Sequence, residues 1–234
     1  MFADPSISAI FAAKGGANSN SMFEYINYEI IKQNPKIFCG YSDITSIANV
    51  ISQKTGLITF SGDNFKSIGT DETDYSIKEI IKRFVYKDLT LGTDVDEYVT
   101  LQDGIAKGKL IGGNLSLISR LVSGNYKVDF QDKILFIEEL YLESDPEMIS
   151  GYLYHMKQND VFDKIRGIWI GNYEGEIPIE KIVLDSLENK YNFPIIKSNN
   201  FGHIENKTVI PIGTMAEINT NEDIKIKLIE NCVD

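Results

Sequence analysis

Over residues 1–62, short apolar runs alternate with longer stretches of helical spacing. SAIFAA (8–13), IFC (37–39) and LITF (57–60) are compact enough to be strands buried on both faces. Each run stops at turn residues: Lys14-Gly15-Gly16, Gly40-Tyr41-Ser42-Asp43 and Ser61-Gly62-Asp63. Between them, Met22, Phe23, Ile26, Ile30 and Ile31 recur mostly on one face of a helix expected over 19–34. DITSIANVISQKTG (43–56) predicts a second helix, closed by Gly56. The order strand, helix, strand, helix, strand implies a parallel sheet with crossover helices.

The pattern changes after Gly62. Residues 63–105 are polar and turn-rich, with one helix expected in SIKEIIKRFVY (76–86) and a strand and turn in 96–104, and they read as a linker. Residues 106–234 return to strong patterning. AKGKLIGGNLSLISRLVSG (106–124) predicts a strand, a glycine pair and a helix. DKILFIEEL (132–140) is a strand whose apolar core stops at Glu138-Glu139. One helix is expected over 145–165, with Asp145 as N-cap and Pro146 in its first turn. RGIWIGNY (166–173) is a further buried strand. A helix over 179–192 and strands near 193–198, 207–220 and 223–230 complete a mixed α/β second domain.

Composition narrows the functional classes. At 43% hydrophobic and 24% charged, the chain has ordinary globular composition. A net charge of -11 argues against a nucleic-acid partner. No apolar run approaches the ~20 residues that span a bilayer, so no membrane association is expected. The N-terminal residues lack the pattern of a signal peptide. Two cysteines, Cys39 and Cys232, suit a reducing cytoplasm. With only two histidines and no close His/Cys spacing, no metal site is expected, and no cofactor is implied.

The turn at Ser42 carries the clearest chemistry. A serine alcohol attacks a carbonyl only when a base takes its proton and donors hold the oxyanion. A strand–Ser–helix turn lifts the hydroxyl above the sheet and sets the next N–H, that of Asp43, beside the developing charge. The alternative is that Ser42 or Asp43 simply caps the helix. The wider G-x-S-x-G pattern is half present, because Ile44 stands at the second glycine. His203 lies in a Gly-flanked loop and is the natural base, although a lone loop histidine can be plain surface. His155 sits among polar neighbours on a helix and reads as solvated. Glu138 and Glu139 must point to opposite faces of their strand. One could orient His203 from a cleft while the other meets water; the pair could equally be a strand end returning to solvent. Gly15-Gly16 could supply a second oxyanion donor. Neither GGANSN nor LIGGNLS matches a dinucleotide or P-loop signature.

Together, AIFAAKGGANSN, INYEIIKQNPKIFCGYSDITSI, TFSGDNF, KLIGGNLSLISRL, KILFIEEL, VFDKIRGIWIGNY and FGHIENKTVIPIG resemble the LD-carboxypeptidase family of serine peptidases, which includes the microcin C immunity proteins. The resemblance covers nearly the whole chain. It implies a Rossmann-like N-terminal domain (1–62) and a C-terminal swivelling β/β/α domain (106–234), with a triad across their interface. By residue, it implies Ser42 as nucleophile, His203 as base and Glu138 as its orienting acid. Backbone N–H groups of Asp43 and Gly16 would form the oxyanion hole. Lys14 and Arg120 are assigned by position to a substrate carboxylate, and Asn114 to substrate binding. The implied substrate is a small peptide, the murein tetrapeptide losing its terminal D-Ala, and the implied assembly is a homodimer. Two rivals stand beside it. GGANSN is similar to the microcin-immunity branch, which cleaves aminoacyl- or peptidyl-nucleotide conjugates. A non-catalytic binding relative is the rival from another class. The family carries a stretch ahead of the point where Met1 falls, so the first domain is expected to lack its beginning and its activity to be weak.

Overall fold

The computed structural model describes residues 1–70, 74–92, 97–142 and 144–233. The three early apolar runs form β1 (Ala9–Phe11), β2 (Ile37–Cys39) and β3 (Thr59–Ser61), which pair in parallel in that order. Residues 1–8 run through two turns into β1. The helix expected over 19–34 divides into a 3-10 turn (Ser19–Tyr25) and α1 (Tyr28–Gln33). Asn27 makes the break: its side chain accepts a hydrogen bond from the Ile30 N–H at 3.1 Å and caps a new helix. α2 (Ile44–Thr55) ends at Gly56 in the left-handed conformation, as expected.

Residues 63–105 hold more structure than a linker: α3 (Phe65–Thr70), α4 (Tyr75–Phe84) and β4 (Val99–Gln102). The 71–73 part of its polar stretch and Asp96, at the start of its expected strand, lie outside the described residues. There follow β5 (Ile105–Asn114), α5 (Leu115–Ile118), β6 (Lys133–Glu138), α6 (Pro146–Gln158), α7 (Val161–Lys164) and β7 (Gly167–Ile170). The rest comprises α8 (Ile179–Leu187), β8 (Ile195–Lys197), β9 (Ile210–Ile212), β10 (Met215–Asn219) and β11 (Ile226–Leu228). The helix expected over 145–165 breaks between α6 and α7, where Asp160 takes a left-handed φ of 59°.

The second sheet has seven strands in the order β11-β10-β5-β6-β7-β8-β4. Its centre, β5 to β8, is parallel, and the edges are antiparallel. β9 does not join it. β9 crosses to the first sheet and pairs antiparallel with β3. The segment after His203 therefore ends inside the sheet that carries Ser42. Apolar packing is shared in the same way. One buried cluster joins Val50 of α2 to Ile111, Leu115 and Ile137, and another joins Cys39 and Phe60 to Leu110, Phe136 and Trp169. Among the described residues, no helix is long and apolar enough to cross a membrane.

The two sheets meet at the glycine pair of β5. Asn49 of α2 donates from Nδ2 to the Gly112 carbonyl at 2.8 Å and accepts from the Gly112 N–H at 3.2 Å. One turn earlier, Thr45 Oγ1 accepts from the Asn114 N–H at 3.1 Å. All these groups are buried, so each bond satisfies a group that would otherwise be costly. A helix reaches a strand backbone this closely only where side chains are missing. A Cβ on Gly113 would stand 2.6 Å from Thr45 Oγ1 of α2, and one on Gly112 would stand 1.8 Å from the Phe136 carbonyl oxygen of the neighbouring strand β6. Gly112→Ala should therefore destabilise the fold by about 3 kcal/mol, the range of severe overpacking. Gly56→Ala should cost only about 1 kcal/mol, since Gly56 has a left-handed φ of 76° but open space around it. Denaturant unfolding of both variants measures the gap; equal losses would remove the close approach at β5 as the reason for the glycines.

Candidate active site

Ser42 sits between β2 and α2 with a φ of 62°, which side-chain-bearing residues rarely adopt. Such strain persists only when surrounding contacts fix it. Here the Tyr41 N–H donates to Asn64 Oδ1 at 3.3 Å, and the Ser42 carbonyl accepts the Thr45 N–H at 2.9 Å as α2 begins. Ser42 is half-buried. Neither Ser42 nor Asp43 is a side-chain helix cap. The Asp43 carboxylate turns instead to the β1 exit loop. Its Oδ2 accepts the Ser19 N–H at 2.9 Å, and its Oδ1 and carbonyl oxygen both accept from the Ser19 hydroxyl. This holds the Gly15-Gly16 loop over the turn. A Cβ on Gly15 would lie 3.0 Å from Ser42 Oγ, so a side chain here would crowd the hydroxyl. Among the described residues, the N–H groups of Asp43 and Gly16 make no hydrogen bond to the chain.

His203 reaches Ser42 from the other side. Its loop follows β8 and is anchored by Phe201, which is buried against Trp169 and Phe136. His203 Nε2 lies 3.1 Å from Ser42 Oγ, and Nδ1 lies 2.8 Å from Glu138 Oε2. With Nδ1 protonated and donating to the carboxylate, Nε2 is left as the acceptor for the serine proton. Glu138 ends β6 and is 3% exposed, so its charge acts in a desolvated setting.

Glu139 departs from expectation. It faces the opposite way from Glu138, as strand alternation requires, but it does not meet water: it is 1% exposed. Its carboxylate accepts from Asn114 Nδ2 and the Ser116 N–H, both at 2.7 Å, and from the Leu140 N–H at 2.9 Å. Burial raises its pKa above the usual carboxylate range, with the neighbouring Glu138 adding to the rise, while these three donors oppose it. Glu139 thus braces the start of α5 and fixes the Asn114 side chain. Asn114 is buried, with Oδ1 accepting from the Ser116 hydroxyl at 2.6 Å. Both of its polar ends are therefore engaged within the protein. Lys14 is exposed beside Gly15, at the rim of the turn. Arg120 is exposed on the 3-10 turn after α5. His155 is exposed on α6, as the sequence implies.

Residues 1–62 match the LD-carboxypeptidase N-terminal domain, and residues 107–218 match the LD-carboxypeptidase C-terminal domain. The chain belongs to the LD-carboxypeptidase family of serine peptidases. Relatives in Bacillus subtilis include the putative carboxypeptidase YocD, 34% identical over 93% of this chain and 74% of its own length. A probable murein peptide carboxypeptidase of the same organism is 31% identical over 95% of this chain and 72% of its own. Among solved structures, an MccF-like protein from Bacillus anthracis superposes with a TM-score of 0.83 at 30% identity, covering 98% of this chain and 78% of that one. A variant of the microcin C7 self-immunity protein MccF in complex with adenosine monophosphate superposes with a TM-score of 0.89 at 25% identity, covering 99% and 78%. The family resemblance and the α/β architecture expected from sequence both hold.

Several residues that build this site carry no motif. Asn49, Thr45 and Ser19 read as ordinary polar positions; Asn49 and Thr45 meet the glycine pair of β5, and Ser19 meets Asp43. Asp63 and Lys207 form a buried pair beside Tyr41. Strain at Ser42 gives a direct test. Glycine in place of alanine normally destabilises a protein, but at a left-handed φ the order reverses. Ser42→Gly should be more stable than Ser42→Ala by about 1 kcal/mol. Thermal or denaturant unfolding of the pair reads this directly, and a less stable glycine variant would rule out the strained turn.

Proposed function

We propose that this chain is a serine carboxypeptidase that hydrolyses an amide bond next to a free C-terminal carboxylate, with the murein tetrapeptide as substrate and terminal D-Ala as the released product. The observation that carries the reading is the unbroken hydrogen-bond path from Ser42 Oγ through His203 to Glu138 at a strained strand–helix turn. In this mechanism His203 Nε2 takes the serine proton as Oγ attacks the carbonyl carbon. Glu138 stabilises the imidazolium that forms. The N–H groups of Asp43 and Gly16 receive the oxyanion, aided by the N-terminus of α2. The imidazolium then gives its proton to the departing amine, leaving the acyl group on Ser42. Water, activated by the same His203, releases it. Lys14, beside Gly15, and Arg120 are the cations assigned to the terminal carboxylate, and both are exposed. Asn114, fixed by Glu139, presents the lip of β5 to the substrate. The Bacillus subtilis relative named a probable murein peptide carboxypeptidase supports the substrate class.

A second reading is hydrolysis of an aminoacyl- or peptidyl-nucleotide conjugate. It is favoured by Ala17-Asn18-Ser19 after the glycine pair, which is similar to the microcin-immunity branch, and by the MccF-like neighbour at 30% identity. An assay of murein tetrapeptide and an aminoacyl-sulfamoyl adenosine in parallel separates the two. The tetrapeptide should turn over, and Ser42→Ala should lower kcat/KM by ~10³-fold or more without loss of fold. Glu138→Gln, which keeps shape but removes the charge, should also lower kcat strongly. Turnover of the nucleotide conjugate alone would establish the second reading. Unchanged turnover in Ser42→Ala would remove Ser42 as nucleophile under either.

A further inference from the structure

α4 turns a mixed face inward, where Ile80 and Phe84 pack against the core beside buried polar residues. Ile77 and Ile81 are exposed, while Ser76, Glu79 and Arg83, spaced along one face, are buried. This polar stripe meets the segment that follows His203. Arg83 Nε donates to the Val209 carbonyl at 3.1 Å. Glu79 Oε2 accepts from the Thr208 hydroxyl at 2.8 Å and from the Val209 N–H at 3.3 Å. The Ser76 hydroxyl donates to Asp63 Oδ2, and the other oxygen of Asp63 accepts from Lys207 Nζ at 2.6 Å. The Asp63 and Lys207 side chains are only 3% and 4% exposed. Lys207 Nζ also stands 4.7 Å from the centroid of the Tyr41 ring. The same ring meets the His203 imidazole edge-on, 5.3 Å between centroids.

A buried ion pair is a poor source of net stability, because removing two charges from water offsets most of their attraction. What it does supply is a defined geometry. Asp63 follows β3 in the sheet that carries Ser42, and Lys207 lies four residues after His203. The pair therefore ties the loop bearing the imidazole to the sheet bearing the hydroxyl, with the Tyr41 ring filling the space between. We propose that Lys207 is a positioning residue for His203: paired with Asp63 and seated on Tyr41, it holds the imidazole at hydrogen-bonding distance from Ser42. The inference rests on the reading of Ser42 as nucleophile. Errors of ~1 Å in such an arrangement can slow a reaction about a hundredfold.

The test is the rate at which a fluorophosphonate acylates Ser42 in the full chain, followed by mass spectrometry of the labelled peptide, beside equilibrium unfolding of each variant. Lys207→Met alone would leave Asp63 charged and buried, so the main variant is Lys207→Met with Asp63→Asn, which leaves no unpaired charge. This variant should unfold near the wild-type midpoint yet acylate ~10- to 100-fold more slowly. Lys207→Arg, which keeps a cation for both Asp63 and Tyr41, should recover most of the rate. Tyr41→Leu leaves the ion pair in place and should slow acylation by itself, so the claim stays testable if the double variant folds poorly. The one-dimensional proton spectrum supplies a readout that general loosening would not give: the low-field resonance of the His203 Nδ1–H bonded to Glu138 should broaden or vanish in the slowed variants. Wild-type acylation rates in both the double variant and Tyr41→Leu would overturn the positioning role while leaving the nucleophile intact. A wild-type chain that takes up no label at Ser42 would overturn the nucleophile, and this inference with it.

Discussion

The arrangement of the cleft depends on one side chain reading a backbone. Asn49 bonds both the carbonyl and the N–H of Gly112, and in doing so it locks the helix that follows Ser42 to the strand beside Glu138. β5 and β6 are in register there, with Asn114 opposite Glu138. Ser42 and Glu138 lie on different sheets and 96 positions apart in sequence, taken as 138 minus 42. Without a joint of fixed geometry, their distance would follow every motion of one sheet against the other. The bonds are few, but they lie in a dry interior, where a polar group without a partner is costly. That cost makes the docked arrangement specific, while the apolar clusters spanning both sheets supply most of the attraction.

Other contacts reach the same geometry from the opposite direction. The chain leaves the second sheet at β8, passes through His203 and enters the first sheet as β9. His203 is thus held at both ends by different sheets: by Phe201 on one side and by the Lys207–Asp63 pair with the α4 stripe on the other. Ser19 supplies a further tie by holding the glycine loop to Asp43. The strained φ of Ser42 is consistent with such over-determination, since an unfavourable backbone conformation survives only where its neighbours leave it no alternative.

Much of this was legible in the sequence. The strand–Ser–helix turn, the scarcity of histidine and an apolar strand ending in two acids marked Ser42, His203 and the Glu138-Glu139 pair as candidates, the family resemblance singled out Glu138, and the fold brings Ser42, His203 and Glu138 together. What stayed hidden has physical causes. Glu139 looks like a strand end returning to water, because nothing local shows that Asn114 and the start of α5 will cover it. The helix over 19–34 keeps its apolar spacing through Asn27, yet a single Asx cap divides it. α4 is the clearest case. Hydrophobic patterning assigns the inner face of a helix to its apolar residues, whereas α4 buries Ser76, Glu79 and Arg83 beside Ile80 and Phe84 and leaves Ile77 and Ile81 outside. Only the tertiary partners, Asp63 and the 207–209 backbone, make that orientation favourable, and they are remote in sequence.

The central claim is that two sheets assemble a nucleophile, a base and an oxyanion site that are ready before substrate arrives. A crystal structure of the fluorophosphonate adduct tests it most directly. The account predicts phosphorus bonded to Ser42 Oγ, with the phosphonyl oxygen about 2.7–3.1 Å from the N–H groups of Asp43 and Gly16. It also predicts His203 still bonded to Glu138 and the backbone of the turn unmoved. A phosphonyl oxygen turned to solvent, or a turn that must rebuild to accept the group, would contradict it.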